Sequence, residues 1–333
     1  MRHTKKLTLE EIGARVGVSR STVSRVLNHH PDVAPDVRAR VEAVVEETGF
    51  QPNQAARALV SQKTGLIGLV MLTEMHELFG DPYYSALVAG IDQGCAEHGL
   101  IFSMFPVQSA EGRPDLLSRQ FAQGFVDGVI VTAGPFSDPL IEVLRDRGTN
   151  MVVIGHPRDT SGLRRIDVDN RTGSELAATH LIERGRQRVG FIGPTSDYHY
   201  GAERIDGYRG ALTAAGRTVD DRLICLDYPS VDGGHRAAQQ LLVHGPDAIH
   251  VATDTMAVGV YEALNERGLR IPDDVAVVGF DGFTRAAELA PPLTTVVQPV
   301  EEVGRRAVEL LAEASTEPRE IILPVNLHIR ASA

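Results

Sequence analysis

One pattern governs the chain from residue 64 onward: a short apolar run, a segment with helical spacing, then another apolar run. The apolar runs fall at 66–72, 101–107, 128–131, 151–154, 189–192, 249–253 and 275–280. Helical segments lie between and after them at 83–98, 139–147, 173–184, 202–215, 254–267 and 301–314. Runs that are apolar on both faces suit strands covered by helices on either side, and successive parallel strands need a crossover long enough to hold a helix. The pattern therefore predicts an α/β body of doubly wound parallel sheet. At about 150 residues per folding unit, the 270 residues of this stretch are too many for one such sheet and predict two lobes. No Gly-x-Gly-x-x-Gly turn marks either lobe as a dinucleotide fold.

Ligands of open parallel sheets bind beyond the carboxyl ends of the strands. Those ends collect Thr73 and Glu74, Thr132, His156, then Thr195, Ser196 and Asp197, and finally Asp254 and Asp281. Each reads equally as a loop or capping residue, and Asp254 in particular as an N-cap. Their common location predicts a polar cleft between the lobes.

The first 63 residues are built differently. They carry ten Lys+Arg against seven Asp+Glu, whereas the remaining 270 carry 23 against 37. A basic head on an acidic body predicts that only the head approaches a polyanion. All three lysines (Lys5, Lys6 and Lys63) belong to the head, so the body has none for a P-loop, a Schiff base or general-base chemistry. It also lacks Gly-x-Ser-x-Gly and His-Glu-x-x-His. Cys95 and Cys225 lie 130 residues apart with no metal-ligand spacing. These absences remove several large enzyme classes, and the chain is read as a non-enzyme that uses no cofactor or metal. No apolar stretch approaches the ~18 residues of a membrane span, and the polar start Met-Arg-His-Thr-Lys-Lys is no signal core. A cytoplasmic protein with no membrane partner is expected.

Within the head, Thr8-Leu9-Glu10-Glu11 reads as a capping box opening a helix to about Val16. Gly17 suits a left-handed turn, and Ser19 caps a second helix running to about Asn28 with Val23 and Val26 inward. Small Gly13 lets the two helices approach closely. The pattern is that of a helix-turn-helix, and the second helix presents Arg20, Ser21, Thr22, Ser24 and Arg25, side chains suited to phosphates and base edges. A third helix starts at Pro35 and stops at Gly49, with Val37, Val41, Val44 and Val45 as its apolar stripe.

Residues 7–28 resemble the head of the lactose/galactose repressor family, and Pro52-Asn53-x-x-Ala56-Arg57-x-Leu59 is similar to that family's hinge helix. The resemblance implies a homodimer on double-stranded operator DNA, with one recognition helix per major-groove half-site and a pair of hinge helices in the central minor groove. It gives Arg20, Ser21 and Arg25 the base-reading positions, and arginine matches guanine O6 and N7, so a G·C-bearing half-site is expected. Ser19, Thr22, Ser24 and Asn28 take phosphate-contact or capping positions. Asn53 and Ala56 line the minor-groove contact, and Leu59 is the apolar wedge. The end at Ala333 carries no leucine heptads, which favours a dimer over a tetramer.

The resemblance continues through Asp81-Pro82-Tyr83-Tyr84, Val168-Asp169-Asn170-Arg171-Thr172-Gly173, Arg204-Ile205-Asp206-Gly207-Tyr208 and residues 275–281. It implies the fold of periplasmic sugar-binding proteins, with lobe crossings near 161, 292 and 318. The domains are then 1–51, helix-turn-helix; 52–63, hinge and linker; 64–161 with 292–318, N-terminal lobe; and 162–291 with 319–333, C-terminal lobe. Arg204, Asp254 and Asp281 take effector-contact positions, where a guanidinium and carboxylates suit vicinal sugar hydroxyls. Tyr83, Phe136 and Tyr198, with Tyr84 or Tyr200, supply an apolar floor, and His156 joins from the strand ends. Thr253-Asp254 departs from the Asn-Asp frequent in relatives, so effector identity is not copied from any one of them. Residues 78–84 and 166–170 look closest to maltose- and glucoside-responsive members.

Other classes stay open on the residues alone. The chain reads also as a solute-binding protein with no DNA role, as a regulator answering to a nucleobase or a protein co-repressor, or as an enzyme using Asp254, Asp281 and His156 as acid and base.

Overall fold

The computed structural model describes residues 7–27, 30–50, 63–71, 75–107, 121, 124–134 and 138–333, in two compact units, 1–64 and 65–333. Asn28, Asn53, Ala56, Leu59 and Phe136 lie outside the described residues.

Among its described residues the first unit holds three helices: α1 (Leu9–Val16), α2 (Arg20–Leu27) and α3 (Pro35–Thr48). The capping box forms as the spacing predicts. Thr8 Oγ1 accepts from the Glu11 amide at 3.2 Å, and Glu11 accepts from the Thr8 amide at 2.8 Å. Gly17 ends α1 at φ 73°, a conformation that costs a side chain dearly. Gly13 packs so closely on the turn that a Cβ there would lie 2.6 Å from the Val18 carbonyl oxygen. The core is small, with Ile12, Val16, Val23, Val26, Val33 and Val41 buried. Of the expected α3 stripe only Val41 is fully buried, and Val37, Val44 and Val45 flank the core.

The second unit contains two six-stranded sheets. In chain order its elements are β1 (Leu66–Met71), α4 (Met75–Gly80), α5 (Pro82–His98), β2 (Ile101–Pro106), β3 (Gly128–Thr132), α6 (Asp138–Asp146), β4 (Met151–Ile154) and β5 (Arg164–Val168). There follow α7 (Asn170–Glu183), β6 (Val189–Pro194), α8 (His199–Ala214), β7 (Ile224–Asp227), α9 (Val231–Leu241), β8 (Ala248–Val251), α10 (Asp254–Glu266) and β9 (Ala276–Asp281). The chain ends with α11 (Thr284–Glu288), β10 (Thr294–Val297), α12 (Val300–Ala312), β11 (Arg319–Leu323) and β12 (Asn326–His328). The first sheet runs β11-β5-β4-β3-β1-β2, and the second β12-β10-β9-β8-β6-β7. Every pairing is parallel except β12 with β10. Strands β3, β4, β6, β8 and β9 are buried along their whole length, as sheets covered on both faces require.

The lobe crossings differ from the expected 161, 292 and 318. Residues 164–168 form β5 of the first sheet, so the chain leaves that lobe after Val168. Thr294–Val297 pair with β9 in the second sheet, so the return falls between Val297 and Val300. β11 pairs with β5 as far as Leu323 and β12 with β10 from Asn326, which puts the third crossing between them. For the first crossing the cause is charge inside a strand. β5 contains Arg164, Arg165 and Asp167, all buried and held by partners: Arg164 donates to the Leu310 carbonyl at 2.9 Å and to Asn150, and the terminal nitrogens of Arg165 pair with Asp167 and Glu320.

Candidate functional site

The side chains of α2 singled out in the sequence are exposed or half-buried. Arg20, Ser21 and Arg25 are exposed, as is the preceding Ser19, and Thr22 and Ser24 are half-buried. Ser19 caps the helix by accepting from the Thr22 amide at 3.1 Å, and its hydroxyl lies 2.7 Å from that of Ser21 and 2.8 Å from that of Thr22. Arg20 lies 3.2 Å from Glu10 on α1 in an exposed pair, which is worth at most about 1 kcal/mol. The result is a row of hydroxyls and guanidinium groups on a helix locked by a small core.

In the second unit the carboxyl ends of both sheets meet at a cavity of about 510 Å³. Tyr83, His156, Tyr198, Arg204 and Asp281 of the predicted set line it, as do Tyr84, Thr132 and Tyr200. Asp254 does not line it. Its side chain turns away from the cavity and accepts from Thr295 Oγ1 at 2.6 Å and from the Gly282 and Phe283 amides at 2.8 and 3.1 Å. The cap of α10 is Thr253, which accepts from the Met256 amide at 3.1 Å, so Asp254 is neither a cleft residue nor the N-cap. Thr195, Ser196 and Asp197 do not line the cavity either.

Arg204 is the centre of the second lobe's wall. It is 4% exposed, donates from Nε to Asn170 Oδ1 at 2.9 Å and from one terminal nitrogen to the Ala252 carbonyl, and stands 3.5 Å from Asp281 Oδ1. Its guanidinium lies over the Phe280 ring at 3.5 Å and the Tyr200 ring at 4.8 Å from the centroids, cation–π contacts that help to orient it. Asp281 also accepts from Gln298 Nε2 at 2.7 Å. Burial raises the Asp281 carboxyl well above the ordinary carboxylate range, against the pull of Arg204. Burial likewise raises the Tyr83 and Tyr200 phenols, leaving both as neutral donors.

Four residues in or beside the cavity are not among those the sequence reading assigned to it. Asp167, at the end of β5, lines the cavity; burial pushes it up to about 6, opposed by the Val168 amide and by Arg165 and reinforced by Glu203. Asn170 opens α7 and holds Arg204. Glu203 on α8 pairs with His156 Nδ1 at 2.8 Å, bridging the two lobes, and its other oxygen accepts from Asn170 at 3.1 Å. Tyr228 lines the cavity after β7. The run Asp167-Val168-Asp169-Asn170 was the available signal, hidden because its strand was not recognised. Among the described residues no His, Cys, Asp or Glu cluster could hold a metal ion, and no helix is long and apolar enough to cross a membrane.

A helix-turn-helix unit with an exposed hydroxyl- and arginine-bearing second helix, together with a two-lobed body around a polar cleft, defines a DNA-binding regulator with a periplasmic-binding-protein-like domain. Residues 8–53 match the bacterial regulatory proteins, lacI family, and residues 178–333 match the periplasmic binding protein-like domain. Along 100% of both chains the protein is 36% identical to the HTH-type transcriptional regulator CelR of Thermobifida fusca. It is 32% identical to the ribose operon repressor of Escherichia coli (strain K12), over 93% of this chain and 94% of that one. The solved transcriptional regulator CelR–cellobiose complex matches with a TM-score of 0.78 and 34% identity, over 98% of this chain and 100% of the other. The lac repressor dimer bound to operator and the anti-inducer ONPF matches with a TM-score of 0.85 and 27% identity, over 98% and 99%. The chain belongs to the lacI family of bacterial regulatory proteins, transcriptional regulators that bind DNA through this head.

Proposed function

We propose that this protein is a repressor whose hold on its operator is set by a carbohydrate bound between the lobes of the body, with a glucose-containing disaccharide as the favoured effector. The observation that carries the reading is the composition of the cleft. Tyrosine rings offer flat apolar surface to the C–H faces of a pyranose, beside Arg204, Asp281 and Asp167, which match hydroxyl groups as donors and acceptors. Its volume of about 510 Å³ falls within the roughly 300–1,000 Å³ of pockets that enclose small organic ligands. The relative solved with cellobiose supports the glucoside class, in line with the lean drawn from residues 78–84 and 166–170.

The protein acts as a homodimer in the cytoplasm, and its role is binding rather than catalysis. Arg20, Ser21 and Arg25 read major-groove base edges, Ser19, Thr22, Ser24 and Asn28 hold the backbone, and Asn53, Ala56 and Leu59 engage the central minor groove. Effector shifts operator occupancy through a coupling of about 1–3 kcal/mol. The test is a thermal-shift screen of cellobiose, maltose, glucose, ribose and nucleobases, followed by anisotropy titration of duplexes from the protein's own promoter region. A glucose disaccharide at about 100 times its Kd stabilises the body by about 2.7 kcal/mol and changes operator affinity. Stabilisation by a nucleobase and by no sugar replaces the effector assignment; indifference to every duplex sinks the repressor reading.

A further inference from the structure

Asp281 is the one non-glycine residue with positive φ among the described residues, at 128°. A side chain in that region persists only where its surroundings over-determine it, and such strain gathers at functional sites. The neighbour that does the determining is Asp254. Its Oδ2 accepts from the amides of Gly282 and Phe283, the two residues that follow Asp281, and its Oδ1 accepts from Thr295 Oγ1 on the adjacent strand. Its own amide donates to Asp281 Oδ2 at 3.1 Å. The space for this carboxylate is reserved by Gly279 on β9, where a Cβ would sit 2.3 Å from Asp254 Oδ1. Helix capping does not explain the carboxylate, since Thr253 already caps α10.

We propose that Asp254 is a positioning residue: with Thr295 it locks the strained turn that aims the Asp281 carboxylate into the cleft, and it does not touch effector. This rests on the reading of the cleft as a carbohydrate site. The lock gives Asp281 its fixed position between Arg204 and Gln298, so that ligand hydroxyls meet an acceptor already in place.

The experiment pairs two readouts on the full chain. Hydrogen exchange by mass spectrometry across 279–286 reports the lock directly. Asp254→Asn opens the Gly282 and Phe283 amides by about tenfold or more, and Thr295→Val, which removes one partner and preserves the fold if the first variant does not, gives a smaller change of the same sign. Calorimetry with cellobiose reports the consequence. Asp254→Asn weakens binding by about tenfold, and the loss disappears in an Asp281→Asn background, while sugar-free operator affinity stays put. Unchanged exchange at 282 and 283 overturns the proposal. So does an equal loss of cellobiose affinity with and without the Asp281 carboxylate, because independent sites add and a positioning residue does not. A wild-type chain that takes up no sugar defeats the carbohydrate reading alone, and the exchange result still decides the lock.

Discussion

Arg25 and Arg204 carry the same side chain under opposite conditions. Arg25 is exposed on the second helix of the head, whereas Arg204 is 4% exposed and has an amide, a carbonyl and a carboxylate arranged around it. A guanidinium in water costs the fold almost nothing and is at the disposal of a partner that brings its own charge. A buried one must have its partners built in, and they come to depend on it in return. Arg25 is thus left exposed and Arg204 is committed in advance, so the two positions respond differently to the same substitution.

The largest contrast is in stability. Arg204→Ala takes the neighbouring cation from buried Asp281 and the donor from Asn170 Oδ1 and the Ala252 carbonyl, and should cost the body about 3–5 kcal/mol in urea unfolding along with sugar response. A loss below about 1 kcal/mol, the scale of an exposed pair, would mean that water reaches this wall and that the two arginines are not so different.

Asp167 sharpens the same point through pH. Its folded-state carboxyl is pushed up to about 6 from an ordinary 3.8, chiefly by burial. The folded chain therefore holds this proton more tightly than the unfolded chain. The resulting stability is complete below the unfolded value and is lost as pH rises through about 6, by up to about 3 kcal/mol. Asp167→Asn should remove that component, so the wild type gains on the variant as pH falls from 7 towards 4. Parallel curves for the two proteins, measured as urea midpoints, would show that Asp167 is hydrated in the folded state.

These two residues also show where sequence reading stops. The bounds of the three helices described in the head were legible almost to the residue, because their signals are local: Thr8 with Glu11, Gly17, and Ser19 with Thr22 act within one helical turn. The long apolar strands of the body were equally plain. β5 was not, since a strand bearing Arg164, Arg165 and Asp167 is apolar only after distant partners such as Leu310 and Glu320 are known. That omission displaced the first lobe crossing and hid Asp167. In the cleft, His156 was found from its strand end, but Glu203, 47 positions away, could not be. Asp254 shows the reverse error: its place in the chain was read correctly, yet the direction of its carboxylate depends on Thr295 and Gly279 across neighbouring strands.

On the head's side of the comparison, Arg25→Ala should lower operator affinity by about 1–3 kcal/mol and relax selection at one base pair. Stability should stay within about 0.5 kcal/mol, as befits an exposed position. Anisotropy titration against single-base operator variants, beside a thermal melt, separates the two quantities. A uniform loss across all variants would demote Arg25 from base reader to phosphate contact.

The smallest effect tests whether the contrast extends from charges to caps. Thr8 and Thr253 both cap helices through the hydroxyl oxygen, but Thr8 is exposed and Thr253 is 7% exposed. When Thr8→Ala removes its acceptor, water can take over the Glu11 amide, so the loss should stay near the ~1 kcal/mol typical of a cap. When Thr253→Ala does the same, the Met256 amide is left dry and the penalty includes its desolvation, bringing it to about 1–3 kcal/mol. Among its described residues the head has only six buried apolar side chains to draw on, so even its smaller loss should register as a lower melting temperature for that unit. Thermal melts of the two variants, followed by peptide-resolved hydrogen exchange, rank the costs. Equal costs would show that burial distinguishes the two regions in their ions alone, and a larger cost at Thr8 would reverse the comparison.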